Sequence, residues 1–470
     1  MKTVDVAIIG AGSAGLSARR QVEKKTQDYV VIDPGKLGTT CARVGCMPSK
    51  VFIQGANDFY RRHTFETQGI LNGDSLELNS PHFLAHVRSL RDRFVRSVTE
   101  GMERWQKTKL IQREAKFIDL NTLDLGDEKL KAKQIIIATG SSPILPEAWK
   151  SFQSFFETTD SFFELETLPS SMGVIGMGVI GTELGQALTR LGVKTSLFSR
   201  GKQIGGLTDP AVIESVQKTF SQEMSICITE VKKLSSKNKE LVIQTEKDEY
   251  HVEKALLSLG RRPNLKSLNL ENLPIKLDAR GIPIYNKNTM RIQDTPLLIA
   301  GDVTGDQPIL HEASDEGNIA GYNATHHEDV CFERRTPFAI TFSSPQIAVV
   351  GKTFKELQER KIDFKIGKIS YAGQGRAIVK LEEKGLVHIY GCSQTGQLLG
   401  AELFAPDAEH LAHWLASLIQ LKQTVRTALS LPFYHPVLEE GLRTALRELA
   451  SQLNISLEPL ELVRCEDSIV

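Results

Sequence analysis

Two of the six cysteines in this 470-residue chain, Cys41 and Cys46, stand five positions apart in Thr40-Cys41-Ala42-Arg43-Val44-Gly45-Cys46-Met47-Pro48-Ser49-Lys50. So close a pair points to redox or metal chemistry. A metal would ask for further Cys or His ligands nearby; the closest histidine is His63, so no metal-ligand set is expected. Pro48 favours the first turn of a helix, which puts Cys46 near a helix N-terminus, where the dipole stabilises a thiolate. Cys46 is therefore expected to be the more acidic thiol. Cys227, Cys331, Cys392 and Cys465 stand alone and read as small buried hydrophobes or inert surface thiols. Thiol–disulfide exchange needs a base, and His titrates in the working range. Among 11 histidines, His435 lies in a Phe-Tyr-His-Pro turn and is followed by Glu440, a carboxylate able to orient an imidazole and stabilise its cation. His410 and His413 sit on an amphipathic pattern and read as packing or surface residues.

The elements that must position these groups announce themselves as a repeat. Val4 to Ile9 is an apolar strand running into Gly10, Gly12 and Gly15, followed by a helical stretch and a strand from Tyr29 to Asp33; Gly173-Val174-Ile175 runs into Gly176, Gly178 and Gly181, then a helix through Arg190 and a strand from Lys194. In such a turn the first glycine makes the bend, the second lets backbone approach a pyrophosphate, and the third lets helix pack on strand. A matched pair implies two dinucleotides. Gly10 to Asp33 is 23 residues and so is Gly176 to Ser199, so Ser199 holds the place of the carboxylate that would accept a ribose hydroxyl. With Arg200 and Lys202 following, that neutral position can accommodate a 2′-phosphate and leans toward NADP(H). Solvent-facing Arg200 and Lys202 are the equally weighted alternative.

Lys plus Arg and Asp plus Glu both total 57, so there is no sequence-wide basic footprint for nucleic acid. With 41% hydrophobic and 24% charged residues the composition is that of an ordinary globular protein, long enough for about three domains. No apolar run approaches the ~18 residues of a membrane span. The N-terminal apolar stretch contains Asp5 and runs straight into a glycine motif, unlike a secretory signal. A cytoplasmic protein acting on small molecules is expected.

Taken together, the glycine motif with Asp33, the Cys41 to Lys50 segment, Ala138-Thr139-Gly140-Ser141-Ser142-Pro143, Gly176 through Glu183, Gly260-Arg261-Arg262-Pro263-Asn264, Thr295 through Asp302 and Tyr434 through Glu440 resemble, in order, the flavin-dependent pyridine nucleotide-disulfide oxidoreductases. The resemblance covers essentially the whole chain. It implies FAD at Gly10, Gly12, Ser13, Ala14, Gly15, Asp33, Thr40, Lys50, Ala115, Thr139, Gly140, Ser141, Gly301, Asp302, Leu310 and His311. It implies NAD or NADP at Gly176, Gly178, Val179, Ile180, Gly181, Glu183, Ser199, Arg200 and Gly260. By the same resemblance Cys41 and Cys46 form the redox disulfide, Cys46 facing the flavin and Cys41 exchanging with substrate. Lys50 pairs with Glu183 near the flavin, and His435 with Glu440 serves the thiols of the other subunit in a homodimer. The sequence departs from the family's pattern at Asp33, a shorter acid than the usual Glu; at Ser199; and at Thr39, where Gly is common and where Gly38 is expected to supply the loop's flexibility.

The expected fold is α/β: two Rossmann-like domains, an FAD domain at 1–148 and 261–335 interrupted by a helical excursion around Ser80–Lys107, an NAD(P) domain at 149–260, and a C-terminal α+β dimerisation domain at 336–470. The basic stretch Lys232 to Lys239 reads as a solvated hairpin. The activity implied first is that of a dihydrolipoyl dehydrogenase, oxidising dihydrolipoyl groups, with a 2-oxoacid dehydrogenase-type complex as a partner. Alternatives are NADPH-dependent reduction of a glutathione-like disulfide or a mercuric ion and, from another class, a flavin redox sensor or assembly subunit, which would have no need for the His435–Glu440 base.

Overall fold

The computed structural model describes residues 1–453 and 460–464; Cys465 lies outside them. Strand Lys2–Ile9 lies between parallel strands Tyr29–Ile32 and Lys129–Ile137, and Leu297–Ile299 joins Lys129–Ile137 in parallel from far along the chain. Leu110–Ile111 extends this sheet at one side, Thr122–Asp124 and Lys116–Phe117 at the other. Both faces are covered, so the strands read as continuous apolar runs rather than alternating ones: Ala7, Ile8, Ile135, Ile136 and Ile137 have no exposed surface.

The helix that follows the first glycine turn, Ser13–Glu23, crosses the later helix Leu310–Asn323 at backbone contact. A Cβ on Gly317 would lie 2.2 Å from the Ala14 carbonyl oxygen, and one on Gly321 2.4 Å from that of Ala18. Small residues on both helices make this approach possible and bring residues 297–323 back to the first sheet.

The second unit repeats the plan. Ser171–Ile175 lies between Lys194–Ser199 and Lys254–Leu257, all parallel, with Ser225–Ile228 and Phe156–Glu157 at the edges. A three-stranded antiparallel sheet packs beside it, and its first hairpin, Lys233–Lys237 with Glu240–Gln244, turns at Asn238 and Lys239, both at positive φ, as a tight two-residue hairpin requires. The helical excursion is two helices, Ser80–Glu100 and Glu103–Lys109. The C-terminal part is a five-stranded antiparallel sheet, ordered Phe338–Thr341, Gln346–Gly351, Leu398–Ala405, Leu386–Cys392, Phe364–Ser370, on which helices Ala408–Gln420 and Glu440–Ser451 pack.

One apolar cluster takes residues from all three parts: Phe52 and Leu84, Phe162, Leu184 and Phe220, Ile347 and Phe404. A polar network crosses the same junction, the fully buried Glu402 accepting from the Thr208, Asp209 and Phe354 amides at 2.7 to 2.9 Å. Each buried large apolar side chain contributes about 1.5–3 kcal/mol, so the three parts are held in one fixed relation. Among the described residues no helix is long and apolar enough to cross a membrane.

Candidate active site

Cys41 lies in the short helix Thr40–Val44, and Cys46 is the first residue of helix Cys46–Tyr60, the two helices being separated by Gly45. The geometry predicted from Pro48 is thus present: Cys46 stands where unsatisfied amides and the dipole favour a thiolate. Both residues are free thiols, Cys41 half-buried and Cys46 exposed, and they hydrogen-bond to each other. The Cys46 pKa is brought down to about 7, chiefly by the hydrogen bond from Cys41 and further by the Lys50 charge, against the opposing effect of burial. Cys41 moves strongly upward, by its hydrogen bond to Cys46 and by burial. The pair therefore ionises at Cys46 while Cys41 keeps its proton.

Thr39, which caps the first of these helices through Oγ1 to the Ala42 amide at 3.3 Å, adopts φ 61°, ψ 151°. Gly38 also has positive φ but does not relieve its neighbour, so the loop holds a β-branched residue in a conformation suited to glycine.

Lys50, one turn after Cys46, places Nζ 2.8 Å from both carboxylate oxygens of Glu183. Glu183 is 3% exposed and sits in helix Val179–Arg190, directly after the second glycine turn. Its Oε1 also accepts the Phe342 amide at 2.8 Å, and the Phe342 ring lies 4.5 Å from Lys50 Nζ. Three parts of the chain thus fix one ammonium. Phe342 carried no signal in the sequence, because its role depends on contacts made 159 residues from Glu183.

The two glycine turns are the same object sterically. A Cβ on Gly10 would lie 2.2 Å from the Ala138 carbonyl oxygen, and one on Gly176 2.3 Å from that of Ser258; on Gly15 and Gly181 it would lie 1.9 Å from the first glycine's own oxygen. At Gly12 and Gly178 it would meet nothing within 4 Å. The helices that begin there have no side-chain cap, so their amides point into open cradles of the kind that a pyrophosphate fits. Both turns accordingly suit a dinucleotide.

The strand ends differ. Asp33 accepts the Ala11 amide at 2.6 Å and the Gly35 amide at 2.8 Å, which fixes a carboxylate beside the first cradle with lone pairs to spare for a ribose. Ser199 instead donates to the Gly201 carbonyl at 2.8 Å, and Arg200 pairs with Glu230 at 3.2 Å.

Around the first cradle, Ser13 and Ala14 open the helix, Thr40 opens the first thiol helix and is exposed, and Thr139 Oγ1 donates to the Asn264 carbonyl at 2.7 Å. Gly140 and Gly301 take positive φ. Ser141 donates to Asp302 at 2.8 Å and is held by Arg261. Leu310 and His311 open the returning helix, with Leu310 exposed and the His311 ring tilted against Phe338. Ala115 is packed in the apolar core. Around the second cradle, Val179 is exposed, Ile180 packs partly into the core, and Gly260 takes positive φ.

His435 stands on the C-terminal part, its side chain 80% exposed, in a groove lined by Ser370, Gly373, Gln374, Glu440, Gly441 and Thr444; neither cysteine lines it. Its Nδ1 lies 3.0 and 3.1 Å from the two Glu440 oxygens, and Glu440, the first residue of helix Glu440–Ser451, also accepts the Val437 amide. Its pKa is lowered, first by the hydrogen bond with His435. Two residues missed in sequence brace the loop: Gln374 donates to the Val437 carbonyl at 2.8 Å, and the buried Tyr371 hydroxyl donates to that of Leu438 at 3.1 Å. Within one chain, then, Cys46 lies close enough to Lys50 and Glu183 to feel both charges, while the imidazole and its carboxylate form a separate exposed pair. His410 is exposed, and His413 contacts the Phe338 ring edge-on.

The chain is 28% identical over 458 residues to a dihydrolipoyl dehydrogenase of Bacillus subtilis, covering 94% of this chain and 97% of the relative. It is 27% identical over 454 residues to a mercuric reductase of Staphylococcus aureus, covering 94% and 81%. Among solved structures the fold is shared with the HOCl-induced flavoprotein disulfide reductase RclA from Escherichia coli, as its Cu(II) complex, at TM-score 0.82, 20% identity and coverage of 95% and 99%. It is shared too with LpdA from Mycobacterium tuberculosis at TM-score 0.82, 22% identity and coverage of 96% and 100%. Residues 4–317 match the pyridine nucleotide-disulphide oxidoreductase family and residues 338–446 its dimerisation domain. The chain belongs to that family of flavoprotein oxidoreductases, whose members use FAD and NAD(P)H.

Proposed function

We propose that this chain is a dihydrolipoyl dehydrogenase, oxidising a small vicinal dithiol and reducing a nicotinamide dinucleotide. The observation that carries the reading is the asymmetric thiol pair, an acidic Cys46 at a helix start hydrogen-bonded to a proton-holding Cys41. FAD, when bound at the first glycine cradle, supplies the two-electron carrier between the Cys46 sulfur and the nicotinamide.

The remaining roles belong to the chain. With Cys41 and Cys46 joined as a disulfide, a substrate thiolate attacks Sγ of Cys41, and Cys46 leaves as the thiolate, the better leaving group because its pKa is the lower. The second substrate sulfur then attacks its own partner in the mixed disulfide, closing the product disulfide and returning Cys41, which takes up a proton. Two protons leave the dithiol: one ends on Cys41, and the other passes to His435 of the partner subunit, whose imidazolium Glu440 steadies. Lys50, held by Glu183 and Phe342, keeps a positive charge beside the Cys46 thiolate. The match to a dimerisation domain and the outward exposure of His435 support a site built from two copies. Lipoyl groups carried by a 2-oxoacid dehydrogenase-type complex are the corresponding physiological substrate.

The similarity to a mercuric reductase over most of the chain favours one second reading, in which NADPH reduces the pair and the dithiol takes a soft metal ion or a small disulfide. One assay separates the two: dihydrolipoamide with NAD or NADP, beside NADPH with oxidised glutathione or Hg(II). Turnover of dihydrolipoamide is expected; its absence refutes the first reading, and turnover with Hg(II) alone establishes the second.

A further inference from the structure

Where the first cradle has Asp33, the second has no carboxylate on its own strand, yet one arrives from the neighbouring strand. Ser199 ends Lys194–Ser199 and pairs in register with Ile228, the last residue of Ser225–Ile228. Two residues further on, Glu230 sets Oε1 3.2 Å from Nε of Arg200 and Oε2 2.9 Å from Nζ of Lys232. Lys232 and Arg200 hold this carboxyl below its ordinary range, Lys232 the more strongly. Arg200 is 82% exposed and Glu230 41%. The Ser199 hydroxyl meanwhile donates to the Gly201 carbonyl and lies 3.4 Å from the Gly201 amide.

We propose that Glu230 sets the coenzyme preference, supplying from the adjacent strand the carboxylate that Ser199 lacks and directing the site to NAD(H) rather than NADP(H). The proposal rests on reading the Gly176–Gly181 turn as the nicotinamide dinucleotide site. A 2′-phosphate held by Arg200 would face an ionised carboxylate already paired with that guanidinium and with Lys232. An ion pair this exposed is worth little by itself, so Glu230 acts by its charge at the ribose edge and not by locking Arg200 in place. Without that charge, Arg200 loses its carboxylate partner and is left to meet a phosphate, while Lys232 still pairs with Glu246 at 3.2 Å. The sequence lean toward NADP(H) arises because Glu230 is 31 residues from Ser199 in the chain and adjoins it only through strand pairing.

The test uses FAD-loaded enzyme and ferricyanide as acceptor, so that it does not depend on the dithiol substrate. Wild-type enzyme is expected to have the higher kcat/KM with NADH. Glu230→Gln should raise the NADPH-to-NADH ratio roughly tenfold or more, the scale of one hydrogen bond to a charged group. The same variant should tighten binding of 2′,5′-ADP while leaving that of 5′-AMP no tighter, and adding Arg200→Gln should cancel the gain. A wild-type preference for NADPH, or a ratio unmoved by Glu230→Gln, overturns the proposal. Failure of wild-type enzyme to bind 5′-AMP or to oxidise either coenzyme would overturn the dinucleotide-site reading itself, a result distinguishable from either of those.

Discussion

The Lys50 ammonium lies 2.8 Å from each oxygen of the Glu183 carboxylate, which is 3% exposed. Removing one member of such a pair strands the other, at about 3–5 kcal/mol when both are buried; because Lys50 retains about a third of its exposure, a smaller figure applies. Lys50→Met is expected to cost about 2 kcal/mol in urea unfolding, and the double variant Lys50→Met with Glu183→Gln to recover at least half. A double variant no more stable than the single one would show that the stranded charge is not the cause.

The thiol asymmetry has a pH signature. With Cys46 near 7, its alkylation by iodoacetamide in the reduced protein should rise through about pH 7 and outrun that of Cys41. Cys41→Ala removes the largest cause of the lowering and should move the profile up toward the ordinary thiol value of about 8.5. Lys50→Met should move it in the same direction by less. A Cys46 profile indifferent to Cys41 would refute the hydrogen-bonded dithiol.

The two glycine turns predict a paired dissection. Gly15→Ala and Gly181→Ala drive a methyl to 1.9 Å from a backbone oxygen and should cost more than about 3 kcal/mol or prevent folding. Gly12→Ala and Gly178→Ala point into open space, so the stability of the FAD-free protein should stay within about 0.5 kcal/mol. Their effect should be selective: Gly12→Ala should lose FAD on gel filtration, and Gly178→Ala should keep FAD but bind coenzyme at least about tenfold more weakly. Equal destabilisation at all four positions would contradict the division of labour.

These turns were legible in sequence because backbone sterics allow one residue type at a few fixed spacings; the same constraint made Cys46 readable from Pro48. Groups fixed by tertiary contact were not. Phe342 on Lys50, Gln374 and Tyr371 under the His435 loop, and Glu230 beside Arg200 follow no local pattern, because each partner lies tens of residues away or more. At Thr39 a local rule predicted relief from Gly38, but the chain between buried Gly38 and the first thiol helix requires a positive φ at both residues.

That strained threonine gives a stabilising prediction. A residue held near φ 61°, ψ 151° costs about 1–3 kcal/mol, while exchanging the Thr cap for Gly loses a few tenths and the freer unfolded chain about 0.5–1 kcal/mol. Thr39→Gly should therefore stabilise by about 1 kcal/mol in urea. Loss of stability instead would mean that the Oγ1 contact to Ala42 outweighs the backbone term.

The separation of His435 from the thiols within one chain predicts complementation between defective copies. Cys46→Ser and His435→Gln should each abolish dithiol turnover as homodimers. If each site takes its cysteines from one subunit and its imidazole from the other, a mixed dimer contains one site carrying both changes and one carrying neither. Random reassortment of equal amounts makes half the dimers mixed, so activity should return to about a quarter of wild type. A site confined to one chain would recover nothing, because every thiol pair would then retain either its own lost cysteine or its own lost base. Adding Glu440→Gln to the Cys46→Ser chain, which lends its imidazole to the intact thiols, should depress the recovered activity, whereas adding it to the His435→Gln chain should leave that activity unchanged.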